Sequence, residues 1–172
     1  MRKVLSKKFF ERPAPEVAED IIGKYLVCTV RGRESAFMIT EVEAYEGFDD
    51  KASHASKGRT KRTEVMFGSA GVFYVYLVYG MYEMLNIVTG PKDYPAAVLV
   101  RGVESIAGPG RLTKSLKITR ALSGKKATRE SGLWIEERGV KISKKDIKKT
   151  PRIGVDYAGP VWSRKQYRFV LK

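Results

Sequence analysis

The sequence predicts an α+β fold, built as a single domain over residues 1–172 around a mainly antiparallel sheet. Three observations predict it. A chain of 172 residues has the ordinary size of one domain and buries a sizeable core without staples. Its apolar runs are short, rich in β-branched and aromatic residues, and broken by glycine-containing turns, which is the pattern of paired strands. These runs do not alternate regularly with helix-length segments, which argues against a parallel βαβ sheet.

Taken in order, each element follows a local rule. "PAPEVAEDIIGK" reads as a helix with Pro15 in its first turn and Gly23 as its stop. "YLVCTV", the turn "RGRES" and "AFMITEVEAY" read as a hairpin of two strands. "GVFYVYLVYGMYEMLNIVTG" is the strongest strand pair, turning at Gly80. "PAAVLVRGVE" continues as a further strand, and "GPGRLTKSLKITRAL" reads as a helix entered at Pro109. The polar, lysine-rich stretch from 120 to 150 reads as surface loops with one short strand. "LWIEE", "PRIGVDYAG" and "QYRFVLK" read as later short strands or loops.

Composition narrows the function. Thirty-three Lys and Arg face nineteen Asp and Glu, a formal charge of +14, so an anionic partner is expected and nucleic acid leads. The competing explanation is a basic surface kept only for solubility. A single cysteine and a single histidine exclude an intrachain disulfide, a cysteine cluster and a histidine-rich metal site, and no metal or cofactor is expected. There is no signal-peptide-like apolar core and no run of about 18 apolar residues. The protein is expected to be neither secreted nor membrane-bound: cytoplasmic and nucleoid-associated in a prokaryote, nuclear in a eukaryote.

Against that charge, "EVEAYEGFDDKASHASKGRTKR" places carboxylates, an aromatic and the one histidine just ahead of a run of cations. Side chains alternate along a strand, so Glu41, Glu43 and Tyr45 share one face, opposite Thr40, Val42 and Ala44. Two carboxylates about 6.5 Å apart along a strand would both repel phosphate. At least one therefore needs a cationic partner or a chemical task. Arg101, late in a predicted strand, is the candidate partner. A carboxylate beside it is expected to have a depressed pKa and to stay ionised, as suits a general base acting on water. The alternative is an exposed ladder of ion pairs. In the long hairpin, Tyr74 and Tyr76 share one face, while Tyr79 sits beside the turn, where an aromatic could wedge between base pairs. Tyrosines merely packing a sheet are the alternative there.

The blocks "ITEVEAYEG", "ASHASKGRTKRTEVMFG", "GVFYVYLVYGMYEMLNIVT", "AAVLVRGVE", "GPGRLTKSL" and "RIGVDYAG" together resemble the alkyladenine (3-methyladenine, N-methylpurine) DNA glycosylase family, in family order and over nearly the whole chain. Lys61, Arg62 and Thr63 stand where the bacterial pattern has Pro-Arg-Asn, and Tyr82 and Glu83 stand where it often has histidines. The resemblance implies a compact domain whose curved, mainly antiparallel sheet is flanked by helices and carries a protruding, DNA-inserting hairpin. It implies a monomer that acts on double-stranded DNA containing damaged purines, flips the nucleotide out, hydrolyses its N-glycosidic bond and leaves an abasic site. The lesions it implies are 3-methyladenine and 7-methylguanine, with hypoxanthine as a further candidate.

Residue by residue, the resemblance implies that Glu43 activates water held also by Arg101 and the main-chain carbonyl of Ile153. It implies that Tyr45, His54 and Tyr76 sandwich the base, that the His54 backbone reads its edge, that Asn86 disfavours the amino group of guanine and that Leu99 floors the pocket. Tyr79 would fill the gap in the duplex. The cations Lys57, Arg59, Lys61, Arg62 and Arg111 would follow phosphates. Two readings from other classes compete. An idle nucleic-acid binder using tyrosines as stacking platforms leaves Glu43 without a task. An RNA-processing hydrolase would need metal ligands or a nucleophile–base pair, and neither pattern is present in the sequence.

Overall fold

A computed structural model describes residues 2–30 and 32–172; Arg31, the first residue of the turn expected at 31–35, lies outside them. The chain runs β1 (Lys3–Val4), α1 (Lys7–Phe10), α2 (Ala14–Ile21), β2 (Tyr25–Val30), β3 (Arg33–Glu46), β4 (Phe73–Val78), β5 (Tyr82–Val88), β6 (Ala96–Val103) and β7 (Ile106–Ala107). It continues through α3 (Pro109–Ser115), β8 (Leu133–Glu137), β9 (Ile147–Thr150), α4 (Gly159–Trp162) and β10 (Arg168–Leu171). The sheet order is β1-β8-β2-β3-β6-β5-β4, with β10 joined to β3, β9 to β10 and β7 to β6. Every described pairing is antiparallel, so the expected α+β class holds.

The fourteen-residue β3 organises the molecule. Its first half, Arg33 to Met38, pairs with β2; its second half, Ile39 to Glu46, pairs with β6; and β10 joins at Glu41 to Glu43. The β3–β6 register slips twice. Thr40 has no partner on β6, and Arg101 has none on β3. The first slip lets Ile39 and Val42 both enter the core, which strict alternation forbids. The expected face of Glu41, Glu43 and Tyr45 therefore holds beyond the slip, whereas Thr40 sits in the irregularity rather than in line with Val42 and Ala44. The second slip takes Arg101 out of the ladder and turns it toward the carboxylates, a use to which bulges near active sites are often put.

In α2, Ala14, Val17, Ala18 and Ile21 are fully buried at helical spacing, and the helix packs on β3 and β6. Burying each large side chain stabilises the fold by roughly 1.5–3 kcal/mol. The opposite side of β4 to β6 carries a second cluster of Ala55, Met66, Phe67, Tyr74, Val88 and Ala97, above which the candidate site lies.

Two expectations need correction. The helix entered at Pro109 stops at Ser115 rather than running on toward Leu122. Lys117 takes φ +54°, and the Ile118 N–H donates to the Thr113 carbonyl at 2.9 Å, a Schellman-type stop that drops Ile118 into the core. The stretch from 120 to 150 is mostly exposed loop, as expected, but it carries two strands, β8 and β9, rather than one. β8 lies inside the sheet between β1 and β2 with Leu133, Trp134 and Ile135 buried. Its buried Glu136 accepts from Trp134 Nε1 at 2.9 Å and Arg138 Nε at 2.7 Å.

Candidate active site

β3 delivers Glu43 to a position with no exposed surface. Its Oε1 accepts the Ile153 N–H at 2.8 Å, and its Oε2 accepts the Tyr45 hydroxyl at 2.9 Å. Arg101 lies between the two carboxylates, its Nε 2.8 Å from Glu41 Oε1 and its Nη1 3.5 Å from Glu43 Oε1. Arg168 Nε donates to the same Glu41 oxygen at 2.7 Å. These partners split the fates of the two carboxylates. Burial alone would raise Glu41, but its hydrogen bonds from Arg168 and Arg101 outweigh that and hold it below the usual carboxylate range. Burial pushes Glu43 up, and Arg101, the Ile153 amide, the Tyr45 hydroxyl and Arg152 only partly offset it. The expected depression by Arg101 is therefore reversed in sign, because Arg101 makes its shorter contact with Glu41 and Glu43 is cut off from water.

All three groups that hold Glu43 also line a cavity of about 380 Å³ together with His54, Tyr76, Asn86, Leu99 and Tyr157. That is the scale of small-molecule sites, roughly 300–1,000 Å³. Tyr45, His54 and Tyr76, expected as walls, come together here. Ser53 caps a short turn over His54–Lys57, its side chain accepting the Ala55 N–H, and this sets His54 edge-on to Tyr76 with ring centroids 4.6 Å apart. Burial, followed by Arg62 and Lys57, lowers the His54 pKa to about 4, so the imidazole is neutral at neutral pH. Asn86 is buried, and its Nδ2 donates to the carbonyls of Tyr74 and Met84 at 3.1 and 3.2 Å, which fixes the orientation of the amide. Nothing among the described residues donates to the Ile153 carbonyl, the atom expected at the water; its amide is the part that binds Glu43.

Asp50 and Arg152 were not anticipated, and both belong to this region. They form a doubly hydrogen-bonded ion pair with no exposed side-chain surface, and Arg152 stacks on Tyr45 at 4.7 Å. A turn after β3 and a loop after β9, which bring together residues 102 positions apart, give no pattern in sequence. Tyr157, from the same loop, also lines the cavity. A second cavity of about 420 Å³ lies between β1, α2 and β9. Among its charged residues Lys24 pairs with Glu137, Lys144 with Glu19 and Asp20 with Arg12, so its carboxylates already have cationic partners. Among the described residues no group of three His, Cys, Asp or Glu side chains is placed to hold a metal, and no helix is long and apolar enough to cross a membrane.

Residues 8–172 match the family model described as Methylpurine-DNA glycosylase (MPG). The chain belongs to the methylpurine-DNA glycosylase family. It is accordingly a DNA glycosylase, a hydrolase of N-glycosidic bonds in base excision repair of alkylated purines. A relative from Methanocella arvoryzae is 46% identical over 176 residues, covering 91% of this chain and 86% of its own. One from Legionella pneumophila strain Paris is 43% identical over 179 residues, covering 100% and 96%. One from Anaeromyxobacter sp. is 41% identical over 175 residues, covering 98% and 89%. Each of the three is named "Putative 3-methyladenine DNA glycosylase".

The glycosylase presents its aromatic turn beside the cavity mouth. Tyr79 lines that mouth yet is 86% exposed. Tyr79 and Gly80 both have positive φ, +51° and +68°, and the Met81 N–H donates to the Val78 carbonyl at 3.1 Å. A turn of this primed kind suits glycine or asparagine; holding tyrosine in the left-handed region costs about 1–2 kcal/mol. Such strain without a packing return is a mark of functional positions. The cations expected along DNA differ in their availability. Lys57, Lys61 and Arg111 are exposed with no described ion pair. Arg62 lies 5.0 Å over the Tyr76 ring. Arg59 is already committed to Glu64 at 2.8 Å and Asp93 at 2.6 Å and stacks on Phe67 at 4.5 Å, so its charge is already engaged within the protein.

Proposed function

We propose that this glycosylase flips an alkylated purine such as 3-methyladenine or 7-methylguanine out of duplex DNA into the cavity between Tyr45, His54 and Tyr76. Glu43 then takes a proton from a water that attacks the anomeric carbon, and an abasic site is left. The observation that carries this reading is the burial of Glu43 behind Tyr45, Arg101 and Ile153. A carboxylate raised by burial is a stronger proton acceptor than an ordinary one, and a dry site strengthens its action. Arg101 and the Ile153 carbonyl orient the water, and Asn86 and Leu99 shape the pocket floor against guanine.

The leaving group needs no acid when it is already cationic, and the walls suit such a base. His54 stays neutral because burial and the nearby Arg62 and Lys57 hold its pKa near 4, so it neither repels a cationic ring nor protonates a neutral one. Aromatic faces stabilise a cationic ring by about 0.5–2 kcal/mol. Hypoxanthine, which must be protonated to leave well, is the slower substrate on this reading. The test is a panel of duplexes each carrying one defined lesion, incubated with the protein and cleaved at abasic sites by alkali. Strand cleavage at 3-methyladenine and 7-methylguanine, with hypoxanthine slower, is expected. No cleavage at any alkylated purine would end the reading.

Non-specific duplex binding should weaken steeply with salt. With Lys57, Lys61, Arg62 and Arg111 on phosphates, log K falls by roughly 3–4 per decade of salt, at about 0.9 per contact. A titration of duplex binding from low to high salt checks this, and a flat profile contradicts the assigned surface.

A further inference from the structure

We infer that the buried Asp50–Arg152 pair is a positioning device for Glu43 and Tyr45, acting through the loop that follows β9. The inference rests on the reading of Glu43 as the base. Each end of the pair is fastened to a different part of the site. Asp50 Oδ2 accepts the Glu46 N–H at 3.1 Å, at the end of β3, and Oδ1 accepts the Ala52 N–H at 3.1 Å, two residues before His54. Arg152 Nη1 donates to Asp50 Oδ2 at 2.5 Å and to the Ala44 carbonyl at 2.8 Å, between Glu43 and Tyr45. Its Nη2 donates to Asp50 Oδ1 at 2.8 Å and to the Trp162 carbonyl at 3.2 Å. The guanidinium thus clamps β3 to the loop by its fork, which a lysine cannot reproduce.

Two consequences reach the chemistry. The residue after Arg152 supplies the N–H that Glu43 Oε1 accepts, so the clamp sets the position of that donor. The guanidinium also stacks on Tyr45 at 4.7 Å, fixing the ring whose hydroxyl holds Glu43 Oε2. Tyr157, farther along the loop, donates to the Ala52 carbonyl at 2.9 Å and closes the same connection a second time. A buried ion pair is weak support for stability, since apolar or neutral replacements of both partners are often tolerated. Its presence at this point is better explained by geometry at Glu43.

The experiment reads single-turnover excision against pH, on a duplex carrying one 7-methylguanine, for wild type, Glu43→Gln and the double variant Asp50→Asn with Arg152→Met. Changing both partners avoids a stranded buried charge, and a cooperative thermal melt establishes folding. Glu43 is faced by Glu41 and Tyr45 from β3, Arg101 from β6, Tyr76 from β4, Arg168 from β10, and Arg152 and Tyr157 from the loop; the double variant removes one cation from this set and loosens one donor. Both changes favour protonated Glu43, so the acid limb of the profile moves to higher pH, by about half a unit or more, and excision at neutral pH falls about tenfold. An acid limb coincident with wild type overturns the inference, whatever the rate. Should the double variant fail to melt cooperatively, Arg152→Lys is read the same way, with a smaller upward movement expected and an unmoved limb decisive against the clamp. An acid limb that persists unchanged in Glu43→Gln would instead refute the assignment of the base itself.

Discussion

Glu43→Gln lowers single-turnover excision of an alkylated purine by 10²-fold or more while binding to the lesion duplex is retained. A positioned general base contributes roughly 10²–10⁴, and the amide has no basicity to replace it. Stability moves the other way. Burial raises the Glu43 pKa, so the folded state favours the protonated carboxyl. The charged form is held less well in the folded than in the unfolded chain, and this burden is present once the pH exceeds the folded pKa and fades as the pH falls below the unfolded value. A neutral glutamine at neutral pH removes the burden, so the melting temperature of the variant is unchanged or raised. Excision within tenfold of wild type would move the proton transfer to another group, with Glu41 examined next. A collapsed melting temperature would show that the carboxylate serves packing.

Tyr79→Ala leaves non-specific duplex affinity nearly unchanged but returns the flipped nucleotide toward the stack. Extrusion costs a few kcal/mol, and an inserted aromatic offsets part of it. Loss of the ring shifts the flipping equilibrium by roughly 1–3 kcal/mol, by analogy with base–aromatic stacking. A fluorescent lesion analogue, whose emission changes on leaving the stack, reads this directly. Tyr76→Ala behaves differently, because Tyr76 lies inside the cavity against His54 and its loss weakens capture rather than filling of the gap. An analogue flipped as fully and held as long by Tyr79→Ala as by wild type would reduce the exposed tyrosine to a surface residue.

The legible part of this molecule is the part governed by neighbours in sequence. β2 coincides with "YLVCTV", and the hairpin turns at Tyr79 and Gly80 as its composition foretells. The face shared by Glu41, Glu43 and Tyr45 follows from strand alternation. What was hidden depends on partners far apart. Arg101 reaches both carboxylates because the register slips there, and no local pattern announces a slip. The Asp50–Arg152 pair spans 102 residues. The sign of the Glu43 shift depended on how deeply the strand is covered, which a list of nearby charges does not contain. β8 coincides with "LWIEE", but its place inside the sheet between β1 and β2 was hidden, because partners far along the chain leave no local pattern.

The β10–β3 pairing also has a bearing on how the protein is made. Arg168 reaches Glu41 across 127 residues of chain, and the same strand lies directly opposite Glu43. At roughly 5–20 residues per second, synthesis from the N-terminus puts about 6–25 s between the appearance of the two partners. Throughout that interval β3 exists without the strand that flanks its carboxylates, so the nascent chain is already basic enough to meet nucleic acid before its carboxylate cluster is assembled. A chain stalled short of β10 would be basic yet lack the strand that pairs with Glu41 to Glu43, so with Glu43 as the proposed base, excision would wait for β10 to emerge.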